Sequence, residues 1–367
     1  MTNDESMPND QWRMRWLALA VRWAVTSGLG LFLLGTAVAS AEENRGQREG
    51  TERGVCRCDD TLKPLSDPDP GVRKLLAAYD FPPDPFPWSL RLQETGQRYS
   101  VYHLTFPSPV RSELVENNTV HGEYYVPRGA AGRMPAVVLL HIMDESFLLE
   151  RMICRYLALG GVAALMLEMP YYADRRPAGA SLHTIYVGEP LRILQAMRSA
   201  VLETRRAACW LQKRPEVDPS RIGLVGVSLG AIVGGLAAGV DPRFHRTVLV
   251  LGGGDPAHIL WHADETRSIR DRLIQLGYTR ERLREAAEGI DSIRFARRVN
   301  PKTVLMINAS NDETVPRACT EALWQAMGRP AIQWHPAGHY TIALLIPMIL
   351  PTVLDFVRAG PAEAPRE

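Results

Sequence analysis

The sequence predicts an α/β protein: a mostly parallel sheet with helices on both faces. Two observations carry that expectation. From about residue 136 onward, unbroken runs of Val, Leu and Ile alternate with helical segments. A strand that is apolar at every position is buried on both faces, which is the condition of strands in a parallel sheet. The second observation is a turn, Gly226-Val227-Ser228-Leu229-Gly230. It stands between the strand-like run Arg221–Val225 and a helix of small residues from Ala231 to Ala238. A serine at the tip of so tight a strand-to-helix turn needs strained backbone angles. Its flanking positions must then lack side chains that would clash.

The elements follow in order. Arg13, Arg15 and Arg22 precede an apolar run from Trp23 to Ala41, which ends on Ala39-Ser40-Ala41 and is followed by Glu42 and Glu43. Residues 1–41 therefore read as a secretory signal cleaved after Ala41. The rival reading is an uncleaved membrane anchor formed by residues 23–41. Either places the remainder outside the cytosol, in a periplasmic or extracellular setting. Residues 42–90 are polar and then rich in proline, and read as a linker or surface tail with one short helix around Val72–Tyr79.

The domain proper is expected at 91–360. Tyr99–Phe106 and Thr119–Val126, closed by Pro127-Arg128-Gly129, suit an antiparallel edge pair. Ala136–His141 and Val162–Glu168 are buried strands flanking a helix at Leu148–Leu159. A long amphipathic helix, Leu191–Gln212, precedes the strand Ile222–Gly226. Thr247–Leu251, Val304–Asn308 and Ile332–Trp334 complete the sheet. Between His258 and about Arg298 the alternation is broken by charged helices, His262–Leu276 and Glu281–Glu288. They read either as a lid over a pocket or as a solvated excursion. The last helix, Thr341–Val357, is very apolar but contains Pro347 and Pro351, and reads as a core helix rather than a membrane span.

Composition narrows the class. The chain has 367 residues, 46% of them hydrophobic, and a formal net charge of +1. That is a globular balance, and it gives no electrostatic reason to expect a nucleic-acid partner. Of the five cysteines, Cys56 and Cys58 fall in the N-terminal tail, and Cys154, Cys209 and Cys319 on helices. A disulfide is compatible with export, with no pairing readable. One C-x-C without companion ligands does not make a metal site. Asn117-Asn118-Thr119 and Asn308-Ala309-Ser310 match the glycosylation pattern, although the second lies on a core strand.

Two further side chains complete a candidate site with Ser228. Asp312 follows the strand Val304–Asn308 in Ser310-Asn311-Asp312-Glu313-Thr314-Val315-Pro316. His339 follows the last strand in Pro336-Ala337-Gly338-His339-Tyr340. All three stand at the carboxyl ends of parallel strands, the edge where such sheets bind ligands. At this point the chain resembles an α/β-hydrolase, nearest to the dienelactone-hydrolase and acetyl-xylan-esterase type, across about Thr119–Val357. The shared motifs are the glycine-serine-glycine elbow, D-x-x-V-P and G-H. The resemblance implies an eight-stranded-type, mostly parallel sheet with a short helical lid insertion at about 256–298.

It also implies chemistry. Ser228 would be the nucleophile, His339 the proton carrier and Asp312 the residue that orients the imidazole. Asp312 also reads as a helix cap. Asp255, after Gly252-Gly253-Gly254, is a rival acid, and His335 a less suitable rival base on a strand end. The oxyanion hole would use the Leu229 amide and a second donor after His141. The family's His-Gly is here His141-Ile142-Met143, so that donor falls to Ile142 or Met143.

The run Met169-Pro170-Tyr171-Tyr172-Ala173-Asp174-Arg175-Arg176-Pro177 resembles one found in a sparsely studied branch of abhydrolase-domain proteins. It puts Tyr171 and Tyr172 near the pocket mouth, either as substrate contacts with the arginines meeting an anionic group, or as packing of the loop and a cap on the sheet edge. The expected function is cleavage of carboxylic esters, small-molecule or lipid, with no metal and no organic cofactor. Amide or peptide cleavage and a non-catalytic binding module are the alternatives.

Overall fold

The computed structural model describes residues 50–58, 65–80 and 84–360. The signal or anchor expected at 1–41 lies outside the described residues. The sheet has ten strands: β1 (Thr51–Cys56), β2 (Phe86–Thr95), β3 (Tyr99–Pro107), β4 (Thr119–Pro127), β5 (Met134–Leu140), β6 (Ala163–Leu167), β7 (Val217–Val227), β8 (Thr247–Val250), β9 (Val304–Ala309) and β10 (Ala331–His335). Their order is β1-β2-β3-β4-β6-β5-β7-β8-β9-β10. β1 to β4 run antiparallel to one another, β4 pairs antiparallel with β6, and the strands from β6 to β10 are parallel.

The eight strands expected from the sequence are all present, and β1 and β2 are additional. β1 lies inside the stretch expected to be linker, and β2 starts there. The reason is the edge position of β1. Thr51, Glu52, Arg53 and Val55 are exposed and only Cys56 is buried, so the strand carries no alternating or continuous apolar signal. It is held by backbone pairing to β2. The tail is accordingly packed rather than loose, with Cys56 and Cys58 both buried.

Helix α1 (Pro70–Leu76) is capped by Asp69. α2 (Leu148–Leu159) connects β5 to β6 with seven buried residues, one of them Glu150. α3 (Leu182–Gly188), which no sequence signal announced, starts on a capping box between Ser181 and Thr184. α4 (Arg192–Gln212) is buried along most of its length. α5 (Leu229–Val240) follows the serine turn and is buried from Gly230 to Val240.

The segment 256–298 folds into α6 (Pro256–His262), α7 (Arg267–Gln275), α8 (Arg280–Ala286), α9 (Ser292–Phe295) and connecting 3-10 turns. α10 (Arg317–Ala326) and α11 (Ile346–Arg358) close the chain. α11 packs on α2, β5 and β8. With the preceding 3-10 turn it is long and apolar enough to span a bilayer by length and composition, and it leaves Leu344 and Met348 exposed. Both asparagines of the glycosylation patterns, Asn117 and Asn308, are buried, which withdraws them as acceptors in the folded protein.

Candidate active site

The carboxyl edge of β7 is built from backbone alone. Ser228 has φ +52°, ψ −114°, a conformation that a non-glycine residue adopts only when its surroundings enforce it. A Cβ on Gly226 would sit 2.1 Å from the Gly230 carbonyl oxygen. One on Gly230 would sit 2.1 Å from the Leu140 carbonyl oxygen. The elbow helix thus lies against both β7 and β5, and only glycine fits at either position.

Ser228 Oγ lies 2.8 Å from His339 Nε2. His339 Nδ1 lies 2.9 and 2.8 Å from the two carboxylate oxygens of Asp312. The imidazole and carboxylate are almost fully buried. Asp312 Oδ1 also accepts the amides of Thr314 at 2.9 Å and Val315 at 2.7 Å. The carboxylate is therefore fixed by its own turn before it meets the histidine. Its local duty is to cap that turn, since α10 begins only after Pro316.

Asp255, the rival acid, is engaged elsewhere. It caps α6 by accepting the His258 amide at 3.0 Å and pairs with Arg284 at 2.5 Å. His335 stays on β10.

The loop after β5 is built from side chains. His141 is fully buried, donates from Nδ1 to the Ile142 carbonyl and accepts the Met169 amide at Nε2, 2.9 Å away. Burial pushes its pKa down to about 4, so the ring is neutral. It joins the β5 and β6 loops. The Ile142 amide donates to Glu150 Oε1 at 2.9 Å.

That bond corrects the expectation for Ile142: its N–H is engaged and is no oxyanion donor. Among the described residues the amides of Met143 and Leu229 have no acceptor, and both residues line the cavity beside Ser228. Glu150 gave no sign in the sequence. Burial raises its carboxyl pKa to about 7, opposed by the bond from Ile142.

Ser228 and His339 open into a cavity of about 810 Å³. Its walls are largely aliphatic: Leu149 and Ile153 from α2, Ile193 and Met197 from α4, Ile346, Ile349, Leu350 and Val353 from α11. α3 contributes Leu182 and Tyr186, and α6–α7 contribute Ile259, Leu260 and Ile269. Within 256–298, the cavity wall thus comes from α6, α7 and the turn that joins them, and no residue of α8 or α9 lines it.

The two tyrosines separate. Tyr172 lines the cavity with its ring against His141, centroids 4.6 Å apart. Tyr171 does not. Its φ is +71°, its amide donates to Asn117 Oδ1, and its ring meets Tyr186 edge-on.

Nor do the arginines face a ligand. Arg175 is fully buried and binds both carboxylate oxygens of Glu203 at 2.6 Å, together with two carbonyls. Arg176 pairs with Glu145.

The sheet order, the serine elbow at the end of β7 and the acid and histidine after β9 and β10 define an α/β hydrolase. Residues 72–255, half of the chain, match the family model "Alpha/beta hydrolase domain containing 18", and the chain belongs to that family. The matched stretch contains Ser228 and stops short of Asp312 and His339. Among solved structures the fold is similar to acetyl xylan esterase 1 from Thermoanaerobacterium sp. JW/SL YS485. That alignment has TM-score 0.61 and 20% identity, covering 80% of this chain and 96% of the other. It is also similar to the acetyl xylan esterase from Paenibacillus sp. R4, with TM-score 0.58, 20% identity, and 78% and 91% covered. Over 102 residues the chain is 28% identical to the uncharacterized protein YdjC of Bacillus subtilis (strain 168), which is 28% of this chain and 88% of that one.

Proposed function

We propose that this chain hydrolyses carboxylic esters bearing a large apolar group, through an acyl-enzyme on Ser228. One observation carries the reading. A serine, an imidazole and a carboxylate stand in hydrogen-bonded series at 2.8 Å each, with the serine and the imidazole on the wall of an apolar cavity. Ser228 gives its proton to His339 Nε2 as Oγ attacks the acyl carbon. Asp312 holds the Nδ1–H tautomer and supports the imidazolium that forms. The amides of Leu229 and Met143 receive the negative oxygen of the tetrahedral intermediate. His339 then returns the proton to the departing alcohol, and water repeats the sequence to release the acid.

The cavity supports the apolar part. Its volume lies in the range of about 300–1,000 Å³ that takes a whole small organic ligand, more than an acetyl group needs. Lipid esters satisfy the same walls, and the exposed Leu344 and Met348 beside the cavity-lining face of the C-terminal helix favour them. The expected setting is outside the cytosol, with residues 23–41 as signal or anchor; the mass of the mature N-terminus decides between them.

A panel of p-nitrophenyl esters from acetyl to dodecanoyl tests both parts. kcat/KM should rise about three- to fourfold per buried methylene until the cavity is filled. A maximum at acetyl would remove the apolar-substrate reading. Fluorophosphonate should label the wild type and not Ser228→Ala, whose turnover should fall by about 10⁴-fold or more. A folded wild type that stays unlabelled would leave only the binding-module alternative, and turnover of amides but not esters would favour the amidase.

A further inference from the structure

Away from the cavity, the antiparallel half of the sheet carries a second group of chemically capable side chains. His103 on β3 and His121 on β4 are diagonal neighbours on one face, because His103 pairs with Glu123 and Thr105 with His121. Their Nε2 and Nδ1 atoms lie 3.2 Å apart. The chain leaving β6 passes over them, tied down by the Glu168 amide donating to the His121 carbonyl at 2.9 Å. It brings Asp174 Oδ2 to 3.7 Å from His121 Nδ1. The three ligand atoms all fall within 4.8 Å of one another.

We propose that His103 Nε2, His121 Nδ1 and Asp174 Oδ2 bind a divalent transition-metal ion, Zn(II) by donor set, which fastens the β6–α3 loop to the β3–β4 hairpin. Bonds of about 2.0–2.2 Å in a tetrahedron require ligand atoms about 3.3–3.5 Å apart. The two measured separations, 3.2 and 3.7 Å, bracket that spacing. Two imidazoles and one carboxylate are the donors of Zn(II), Co(II) or Ni(II), whereas Ca²⁺ and Mg²⁺ take oxygens. Asp174 is two-thirds exposed, so the remaining position opens to water.

The surroundings agree. Among the described residues Asp174 stands at ion-pair distance from the His121 imidazole, and the adjacent Arg175 is engaged with Glu203. Glu168 is buried close by, its Oε2 accepting the Asp174 amide at 3.2 Å. The loop the ion would hold contains Tyr171 and Ala173, both at positive φ, and places Tyr172 on the cavity wall. The expectation of no metal concerned the C-x-C cysteines and the serine chemistry, and bears on none of these residues.

The test uses the full chain, stripped with a chelator and titrated with ZnCl₂ by calorimetry and with CoCl₂ by absorption spectroscopy. The wild type should bind one equivalent, show the intense visible bands of tetrahedral Co(II), and melt at a higher temperature with Zn(II). In His103→Ala/His121→Ala the affinity should fall at least about 100-fold, with the bands and the thermal shift lost. All five cysteines remain in this variant, so binding of unchanged affinity there would assign the ion to thiols and overturn the proposal. Absence of saturable binding to the wild type would do the same. Should circular dichroism show the double variant unfolded, Asp174→Asn, a change at an exposed position, decides by the same readouts.

Discussion

Two adjacent strand ends form the floor of the site by opposite means. The end of β7 is shaped by what is missing: Gly226 and Gly230 have no side chains, and Ser228 is held at φ +52° between them. The end of β5 is shaped by what is buried: the neutral ring of His141 and the carboxyl of Glu150 occupy a loop that has no glycine. Both present a backbone amide to the same cavity, Leu229 in one case and Met143 in the other. A tight turn can therefore be specified by steric exclusion, or a looser one can be pinned by interior hydrogen bonds. The second design makes the geometry depend on groups that titrate.

The largest effect is expected where exclusion is broken. Gly230→Ala puts a methyl 2.1 Å from the Leu140 backbone oxygen, where no flexible side chain can yield. Ordinary overpacking costs about 1–3 kcal/mol, and here the backbone of β5 must also move. Urea denaturation should show a loss at or beyond the upper end of that range, and fluorophosphonate labelling should vanish. A variant of unchanged stability and activity would mean that the elbow helix does not pack against β5 as described.

The pinned strand end should respond in a graded way. Glu150→Ala leaves the Ile142 amide without its acceptor and frees the loop that presents Met143. kcat should fall by about 10²-fold, the scale of losing one oxyanion donor, with KM little changed. Glu150→Gln keeps an acceptor oxygen and should retain most of kcat.

The two carboxamide and carboxyl forms also differ in pH dependence. The folded carboxyl keeps its proton up to about pH 7, well above the ordinary value of about 4.3. Its stability contribution is full below about pH 4.3 and is lost as pH rises through about 7. The stability of the wild type should therefore fall by up to about 3 kcal/mol relative to Glu150→Gln as pH rises across that window, read by urea denaturation. Parallel curves for the two proteins would show that Glu150 does not titrate there.

This contrast also explains what was legible in the sequence. Ser228, Asp312 and His339 each sit in a short motif whose residues are neighbours in the chain, so the strand-turn-helix context exposes them. Glu150 is one polar residue within a helix, and its partner Ile142 meets it only when α2 folds back on β5. His103 and His121 stand on separate strands and meet only through the sheet register.

β1 escaped notice because an exposed edge strand has no buried face to impose a pattern. α3 was hidden because it is only seven residues long and its capping box, Ser181 with Thr184, uses threonine where glutamate or glutamine is the recognisable signal. The missing glycine after His141 was visible and left the second oxyanion donor open between Ile142 and Met143. It could not show which of the two following amides was already engaged.

A third strand end supplies the control, and with it the smallest expected effect. Asp255 follows β8 on the same edge as Ser228 and Asp312, and from sequence it competes for the role of the acid. Its carboxylate instead accepts the His258 amide and pairs with the exposed Arg284. Asp255→Ala should cost about 1 kcal/mol, the typical value of an N-cap. The ion pair adds little, because one partner is exposed to solvent. The substitution should leave kcat for the preferred ester within about twofold, while Asp312→Asn lowers it by about 10⁴-fold. Equal losses from the two would mean that both carboxylates reach the histidine during turnover. The division between a strand end that serves chemistry and one that only starts a helix would then fail.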